Sequence, residues 1–180
     1  MSGRRIGFCT RVREINPNVI IIHCFLHREN LATKTIQEEL YLVLKDVISM
    51  VNFIKSKALN SRIFNAMCDE MGSQYKSLLY HSDVHWLSRG KILSRVISLR
   101  SEIHTFLTEK HHSLAEKVNG PAWVAKLAFL SDMFEHLNNL NTEMQGKNQT
   151  IVDIGEQISS FKLKLALWRE KLLRGKIESF

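Results

Sequence analysis

The chain has little glycine and almost no proline, with 8 Gly and 2 Pro among 180 residues. Both counts lie below ordinary usage, and a chain with so few turn-forming residues has few tight turns to offer. A β-sandwich or barrel needs a turn after every short strand, so this composition argues against both folds. It favours long helices instead.

Cysteine and long apolar runs are equally scarce. The 3 Cys residues cannot form a closed set of disulfides. No apolar run approaches the roughly 20 residues that span a bilayer, and the Arg-rich segment Met1–Arg13 does not resemble a secretory signal. The remaining composition, 44% hydrophobic and 24% charged, is typical of a globular protein. We therefore predict a soluble, mostly helical protein of a reducing compartment, with no membrane partner.

Positive charge is concentrated at the two ends of the sequence. The formal net charge is +7, and residues 1–35 and 162–180 each carry six basic and two acidic residues. This excess is compatible with contact to nucleic acid. It is equally compatible with a solvated charged face.

Apolar residues recur at steps of three and four in four long segments, a spacing typical of amphipathic helices. The predicted helices lie near residues 38–57, 88–110, 121–145 and 150–174. Asn60 or Ser61 is expected to cap a further helix that ends at Gly72, Pro121 to open a helix, and Thr150 to cap the last one. We predict a mainly α fold, an antiparallel helical bundle in which each helix buries one apolar face.

A β-branched run, Val19–Ile22, interrupts the helical pattern and follows Pro17. Such a run is typical of a buried strand. A single strand has no partner for its backbone groups, which are costly to bury unpaired. Either the run joins a helix, or it is one strand of a sheet whose other strands are absent.

Two further pairs of residues suggest packing or solvent exposure rather than chemistry. Cys9 and Cys68 lie within helical patterns and are expected to be small core residues. His111 and His112 lie on a predicted turn between helices, where we expect both to face solvent.

Several short motifs follow one another along the whole sequence. They are His23-Cys24-Phe25-Leu26-His27, Val51-Asn52-Phe53-Ile54-Lys55-Ser56, Leu59-Asn60-Ser61-Arg62, His81-Ser82-Asp83-Val84-His85-Trp86-Leu87-Ser88-Arg89-Gly90-Lys91, and Gln145-Gly146-Lys147-Asn148. In this order they resemble the hAT-superfamily transposases. The resemblance is closest to the domesticated group that includes zinc finger BED domain-containing proteins, family-with-sequence-similarity-200 proteins and the general transcription factor II-I repeat domain-containing proteins.

The resemblance implies a fragment of a larger fold. In that family a ribonuclease-H-like sheet is interrupted by a long helical insertion. Residues 1–27 would be the remnant of the sheet domain, a helix plus one short strand, and residues 28–180 the helical insertion. The family's catalytic carboxylates, two Asp and one Glu, would then be missing, since no Asp precedes Asp46. We therefore predict no enzymatic activity, no cofactor and no small-molecule substrate.

The resemblance also carries over a few site residues. Trp86 matches a family Trp whose ring stacks on an unpaired base, and Arg89 and Lys91 follow it as candidate nucleic-acid contacts. Stacking of this kind contributes about 1–3 kcal/mol per base. However, His85 replaces the family's Arg, so a permanent cation becomes an imidazole that is mostly neutral near pH 7. The alternative is that Trp86 anchors its loop on the bundle.

Cys24 and His27 match the family's Cys-x-x-His, which makes them candidate metal ligands. With His81 and His85 they would supply one sulfur and three nitrogen ligands, a set that suits tetrahedral zinc. The 53 intervening residues exceed ordinary finger spacing. The alternative is that Cys24 and His27 are packed and hydrogen-bonded at the end of the strand.

These observations predict a domesticated or truncated transposase-derived protein that acts through protein–protein contacts. Self-association is one form that such contacts can take. The alternative is a nuclear DNA-associated protein that uses the basic terminal segments and Trp86 for weak, non-specific binding. The resemblance implies a nuclear location, with the cytoplasm as the alternative.

Overall fold

The computed structural model describes residues 7–19, 36–79, 87–146 and 149–174. Within these ranges every regular element is an α-helix, which confirms the predicted mainly α class. The chain divides into two compact units, Met1–Ile36 and Gln37–Phe180. The predicted strand at Val19–His23 and the predicted domain boundary after residue 27 fall outside the described residues, apart from Val19 itself.

The first unit contains the short helix α1, which spans Phe8–Ile15. None of its side chains is buried, and Phe8 and Ile15 are 70% and 87% exposed. Cys9 is only half-buried. The prediction of a core position for Cys9 is therefore wrong, because this helix has no buried face for the thiol to join.

The described part of the second unit contains seven helices. They are α2 (Glu38–Lys55), α3 (Ala58–Glu70), α4 (Leu87–Ser98), α5 (Arg100–Glu109), α6 (Ala115–Val118), α7 (Pro121–Met144) and α8 (Ile151–Leu173). Helix α7 packs most extensively along α4 and also contacts α2, α6 and α8, while α5 packs on α3 and α6. The long helix α7 is thus the element around which the unit is arranged.

Aromatic side chains fill the centre of this unit. Phe64 of α3 and Phe106 of α5 are fully buried, with ring centroids 5.6 Å apart and planes at 87°. Phe53 of α2 adds a second edge-to-face contact to Phe106 at 6.3 Å. Such pairs contribute about 0.5–1.5 kcal/mol each beyond the area they bury. Cys68, fully buried at the end of α3, is a core residue as predicted.

The end of α3 agrees with the prediction from the sequence, whereas its start does not. Gly72 has a φ of +66° directly after the helix, as predicted for a left-handed C-terminal residue. At the start, however, neither Asn60 nor Ser61 is the cap, since the N-cap position is Lys57. Asn60 is buried and its Nδ2 donates to the carbonyl oxygen of Phe53 at 3.1 Å. It therefore satisfies a carbonyl in the last turn of α2 rather than an amide of α3.

The two histidines after α5 have different surroundings. His111 is exposed, and its φ of +49° places a non-glycine residue in the left-handed region. The His112 N–H donates to the carbonyl oxygen of Leu107 at 2.9 Å, which closes the helix with a Schellman-type turn. The His112 ring lies 4.5 Å from the ring of Phe53 and is half-buried. The prediction of solvent exposure holds for His111 and is wrong for His112, because the turn directs that ring onto α2.

The helix predicted at 88–110 is two helices. The break falls at Leu99, whose φ and ψ are −106° and 23°. The Ser98 hydroxyl donates to the carbonyl oxygen of Ser94 at 3.1 Å, a type of bond that often bends helices. Leu99 is nevertheless fully buried, so the apolar stripe runs on across the bend.

The starts of the last two helices agree with the predictions. Pro121 occupies the first turn of α7. Before α8, the Asp153 N–H donates to the Thr150 hydroxyl at 3.2 Å, and the Thr150 N–H donates to the Asp153 carboxylate at 2.8 Å. This reciprocal capping box lowers the pKa of the Asp153 carboxyl, chiefly through the bonds from Thr150. None of the helices in the described ranges is long and apolar enough to cross a membrane.

Candidate functional site

The structure describes only some of the site residues predicted from the sequence. Cys24, His27 and Trp86 lie outside the described residues, as do His81 and His85. The backbone of Arg89 belongs to the first turn of α4, but the structure does not describe its side chain. Lys91 is described and exposed. The predicted metal and base-stacking sites therefore remain predictions.

Lys91 lines a cleft of about 430 Å³ between α4, α7 and the loop after α3. Gly90 brings the two helices together there: a methyl group on it would overlap Asn138 and lie 3.3 Å from the Phe134 carbonyl oxygen. Glu135 of α7 lines the same cleft. The cleft thus has one exposed ammonium group on one wall and a carboxylate on the other.

A second cation at this cleft, Arg95, has a structural role. Its Nη1 donates to the carbonyl oxygen of Ser77 at 2.9 Å, and its guanidinium lies 3.6 Å from the centre of the Tyr75 ring. Cation–π contact and hydrogen bond together hold the loop after α3 against α4. The sequence did not predict this pair, because residues 75 and 95 meet only where the fold places the loop after α3 on α4.

Helix α8 presents a second surface that the sequence analysis missed. In its apolar stripe Ile154, Phe161 and Trp168 are half-buried, although Ile151 at the start of the helix is 71% exposed. The Trp168 ring lies 4.3 Å from that of His136 on α7. On the opposite side, Leu163 and Leu167 are 73% and 51% exposed. At 100° per residue these two leucines lie about 180° from the stripe. The four-residue spacing of Leu163 and Leu167 was the sequence signal for this surface. It was missed because the apolar stripe on the other side of the helix is longer.

A polar groove of about 530 Å³ separates α7 from α8. Glu143, Asp153 and Glu156 line it, together with Gln157 and Lys164. Asp153 is already engaged in the capping box with Thr150. Among the described residues, no three His, Cys, Asp or Glu side chains are placed to hold a metal ion together.

The comparison with known families decides which proteins this arrangement belongs with. The family model of the FAM200/GTF2IRD2 helical domain matches residues 23–173. The chain belongs to this family. The match covers the cleft at Lys91 and the whole of α8, and it includes the undescribed positions Cys24, His27 and Trp86. No solved structure matches the chain.

Within the FAM200/GTF2IRD2 helical domain, two partly buried polar clusters link neighbouring parts of the bundle. Asp46 of α2 accepts a hydrogen bond from the Trp123 indole N–H at 3.0 Å. It also forms an ion pair with the Lys117 ammonium at 2.6 Å. Trp123 is only 6% exposed, so the carboxylate satisfies a donor that water cannot reach. This cluster joins α2 to α6 and α7.

The second cluster of the FAM200/GTF2IRD2 helical domain lies between α3 and α5. Ser73 donates a hydrogen bond to the carboxylate of Glu102, which is 7% exposed and whose Oε2 has no hydrogen-bond partner among the described residues. Burial, followed by the charges of Glu102 and Asp69, raises the pKa of the Cys68 thiol to about 11. A thiol held neutral in this way is a poor nucleophile and a poor metal ligand.

Proposed function

We propose that this chain is a transposase-derived helical module that has no catalytic activity and works by binding another protein. The observation that carries the proposal is the exposed side of α8. Leu163 and Leu167 are more than half exposed on a helix whose opposite side already packs against α7. Burying such a side chain fully is worth about 1.5–3 kcal/mol, so a partner that covers both would gain appreciable affinity.

The roles of three of the four described aspartates support the absence of catalysis. Asp46 is bound by Trp123 and Lys117, Asp69 pairs with Lys76 at 3.3 Å, and Asp153 caps α8. Two-metal phosphoryl transfer needs carboxylates that converge on ions about 3.5–4 Å apart. These three side chains each serve a different helix end or helix contact, an arrangement suited to stability.

The protein-binding proposal is tested by affinity capture from nuclear and cytoplasmic extracts. The intact chain is compared with Leu163→Glu, and Leu59→Glu is the matched control, since Leu59 is 62% exposed on α3. We expect partners that the intact chain and the control retain and that Leu163→Glu loses. Identical partner sets for all three chains would refute a role for α8.

The catalytic part of the proposal has its own assay. Purified protein is incubated with supercoiled plasmid and Mg²⁺ or Mn²⁺. We expect no nicking at any protein dose. Nicking that rises with dose and survives repurification would show that the chain is a nuclease.

The cleft at Lys91 favours a second candidate function, weak non-specific binding of nucleic acid. The exposed Lys91 ammonium, the net charge of +7 and the basic terminal segments are the cations that could contact phosphate. We expect the affinity for duplex DNA to fall as salt rises. Lys91→Ala should reduce the slope of log K against log salt by about 1, because one phosphate contact is lost. Lys126→Ala is the control, because Lys126 pairs with Glu39 at 2.5 Å; equal slopes for both variants would exclude the cleft.

A further inference from the structure

Six exposed residues form a continuous stripe along α8, on the side that carries Leu163 and Leu167; two of them, Glu156 and Ser160, also line the groove between α7 and α8. They are Glu156, Ser160, Leu163, Leu167, Glu170 and Arg174, which we call the outer stripe. The steps between them are four, three, four, three and four, so they stay on one side of the helix. The six positions are symmetric about residue 165, so the order of the steps is the same in either direction along the helix.

The charge of α8 changes sign along the length of the helix. The half from Ile151 to Phe161 contains two acidic residues and no basic one, whereas residues 162–174 contain five basic residues and one acidic residue. The two leucines lie between the acidic and the basic ends. On the outer stripe itself only Glu156, Glu170 and Arg174 are charged, so an antiparallel copy places Glu156 of each chain at the end that carries Arg174 of the other.

We infer that the outer stripe of α8 pairs with the outer stripe of a second copy of this chain. The pairing is antiparallel and two-fold symmetric, with Leu163 of one copy against Leu167 of the other. In that register Glu156 faces Arg174 of the second copy, and Ser160 faces Glu170. A two-fold interface requires a self-complementary patch, which is what the symmetric spacing and the reversed charge provide.

The contacts already made within one copy fit this arrangement. Arg174 pairs with Glu170 of its own helix, so its side chain is held on the outer stripe before any partner arrives. Helix α8 is about 34 Å long at 1.5 Å per residue, so the stripe offers a narrow but extended contact. This inference rests on the proposed function, because it names the partner that the exposed side of α8 would bind.

The mass of the full chain in solution tests the pairing. Sedimentation or light scattering over a dilution series should give a mass that rises from 20.9 kDa toward twice that value. Leu163→Glu should raise the dissociation constant at least about tenfold, because it places a charged carboxylate at both central leucine contacts of the pair. Leu59→Glu on α3 is the matched control and should leave it unchanged, and circular dichroism confirms that each variant is folded.

Charge exchange tests the register itself. Glu156→Arg and Arg174→Glu should each be monomeric alone, because each variant then opposes like charges at both ends of the pair. An equimolar mixture of the two variants should associate, and so should the chain that carries both substitutions, since opposite charges then face each other again.

Three results would overturn the inference: a monomeric intact chain at every concentration, a dimer that Leu163→Glu leaves intact, or single variants that do not associate on mixing. A monomeric chain that still captures another protein through Leu163 would leave the proposed function standing. A dimer that captures no other protein would support the pairing alone.

Discussion

Replacing Gly90 with alanine should destabilise the protein, although alanine is the better helix former. The new methyl group would overlap Asn138 and lie 3.3 Å from both the Cβ and the carbonyl oxygen of Phe134. The amide of Asn138 can turn aside, but the backbone of α7 can move only with the whole helix. Overpacking of this kind typically reduces stability by about 1–3 kcal/mol.

Gly155 provides the matched control, because a methyl group there meets nothing within 4 Å. Both glycines lie near the start of a helix, so the gain in helix propensity, about 0.5–1 kcal/mol, is similar. Gly155→Ala should leave the free energy of unfolding unchanged or raise it by up to about 1 kcal/mol. The difference between the two variants then isolates the clash at α7 and should be about 1–3 kcal/mol.

Urea and thermal unfolding followed by circular dichroism measure this difference. For a chain of this size, 1 kcal/mol shifts the melting temperature by roughly 2–4 °C. If Gly90→Ala is as stable as Gly155→Ala, α4 and α7 do not approach as closely as described. The cleft at Lys91, which depends on that approach, would then have a different shape.

Three further predictions concern single side chains. Asp46→Ala should lower the free energy of unfolding in urea by about 1–3 kcal/mol, because the buried Trp123 indole loses its acceptor; a change below about 0.5 kcal/mol would contradict this. The folded pKa of Asp153 lies below its ordinary value of 3.8, so the cap is complete above that pH and is lost as the pH falls through the folded pKa. Helix content should therefore decrease in that acidic range, and Asp153→Asn should remove the pH-dependent part. A maleimide should label Cys68, with its thiol pKa of about 11, at least about tenfold more slowly than the half-buried Cys9, as measured by peptide mass spectrometry; similar rates would show that the site opens readily.

Three helices could be predicted closely from the sequence because both periodicity and punctuation define them. The predictions of 38–57, 121–145 and 150–174 correspond to Glu38–Lys55, Pro121–Met144 and Ile151–Leu173. Pro121 and the Thr150 cap mark the starts of the last two, and acidic residues fill the first turn of α2. Local chemistry decides these boundaries.

The bend at Leu99 could not be predicted in the same way. No Gly or Pro marks it, and the apolar residues keep their helical spacing across it. The Ser98 hydroxyl bonds to Ser94 at the bend. Equivalent bonds from Thr142 and Ser159 lie inside unbroken helices, so such a bond does not mark a bend in the sequence. The prediction therefore missed the break between the two helices, but it identified their buried face correctly.

The candidate site, too, could be predicted only in part from the sequence. Lys91 was predicted from the family resemblance, but its neighbours Tyr75 and Arg95 are brought together by tertiary packing. The exposed leucines of α8 were visible in the sequence, yet periodicity alone does not say which of two apolar faces finds a partner. Only the position of α7 distinguishes them.

The limited burial of α8 has a consequence for how this family diverges. None of the described side chains on this helix is fully buried, whereas the rings of Phe64, Phe106 and Phe134 are almost wholly enclosed by the other helices. Substitutions on the outer side of α8 therefore change little of the folding free energy, because surface positions away from the core are usually near neutral. The residues that keep the domain folded and those that would choose its partner are different residues on different helices. If α8 binds the partner as proposed, partner choice could change through successive substitutions on α8 while the rest of the bundle stays the same.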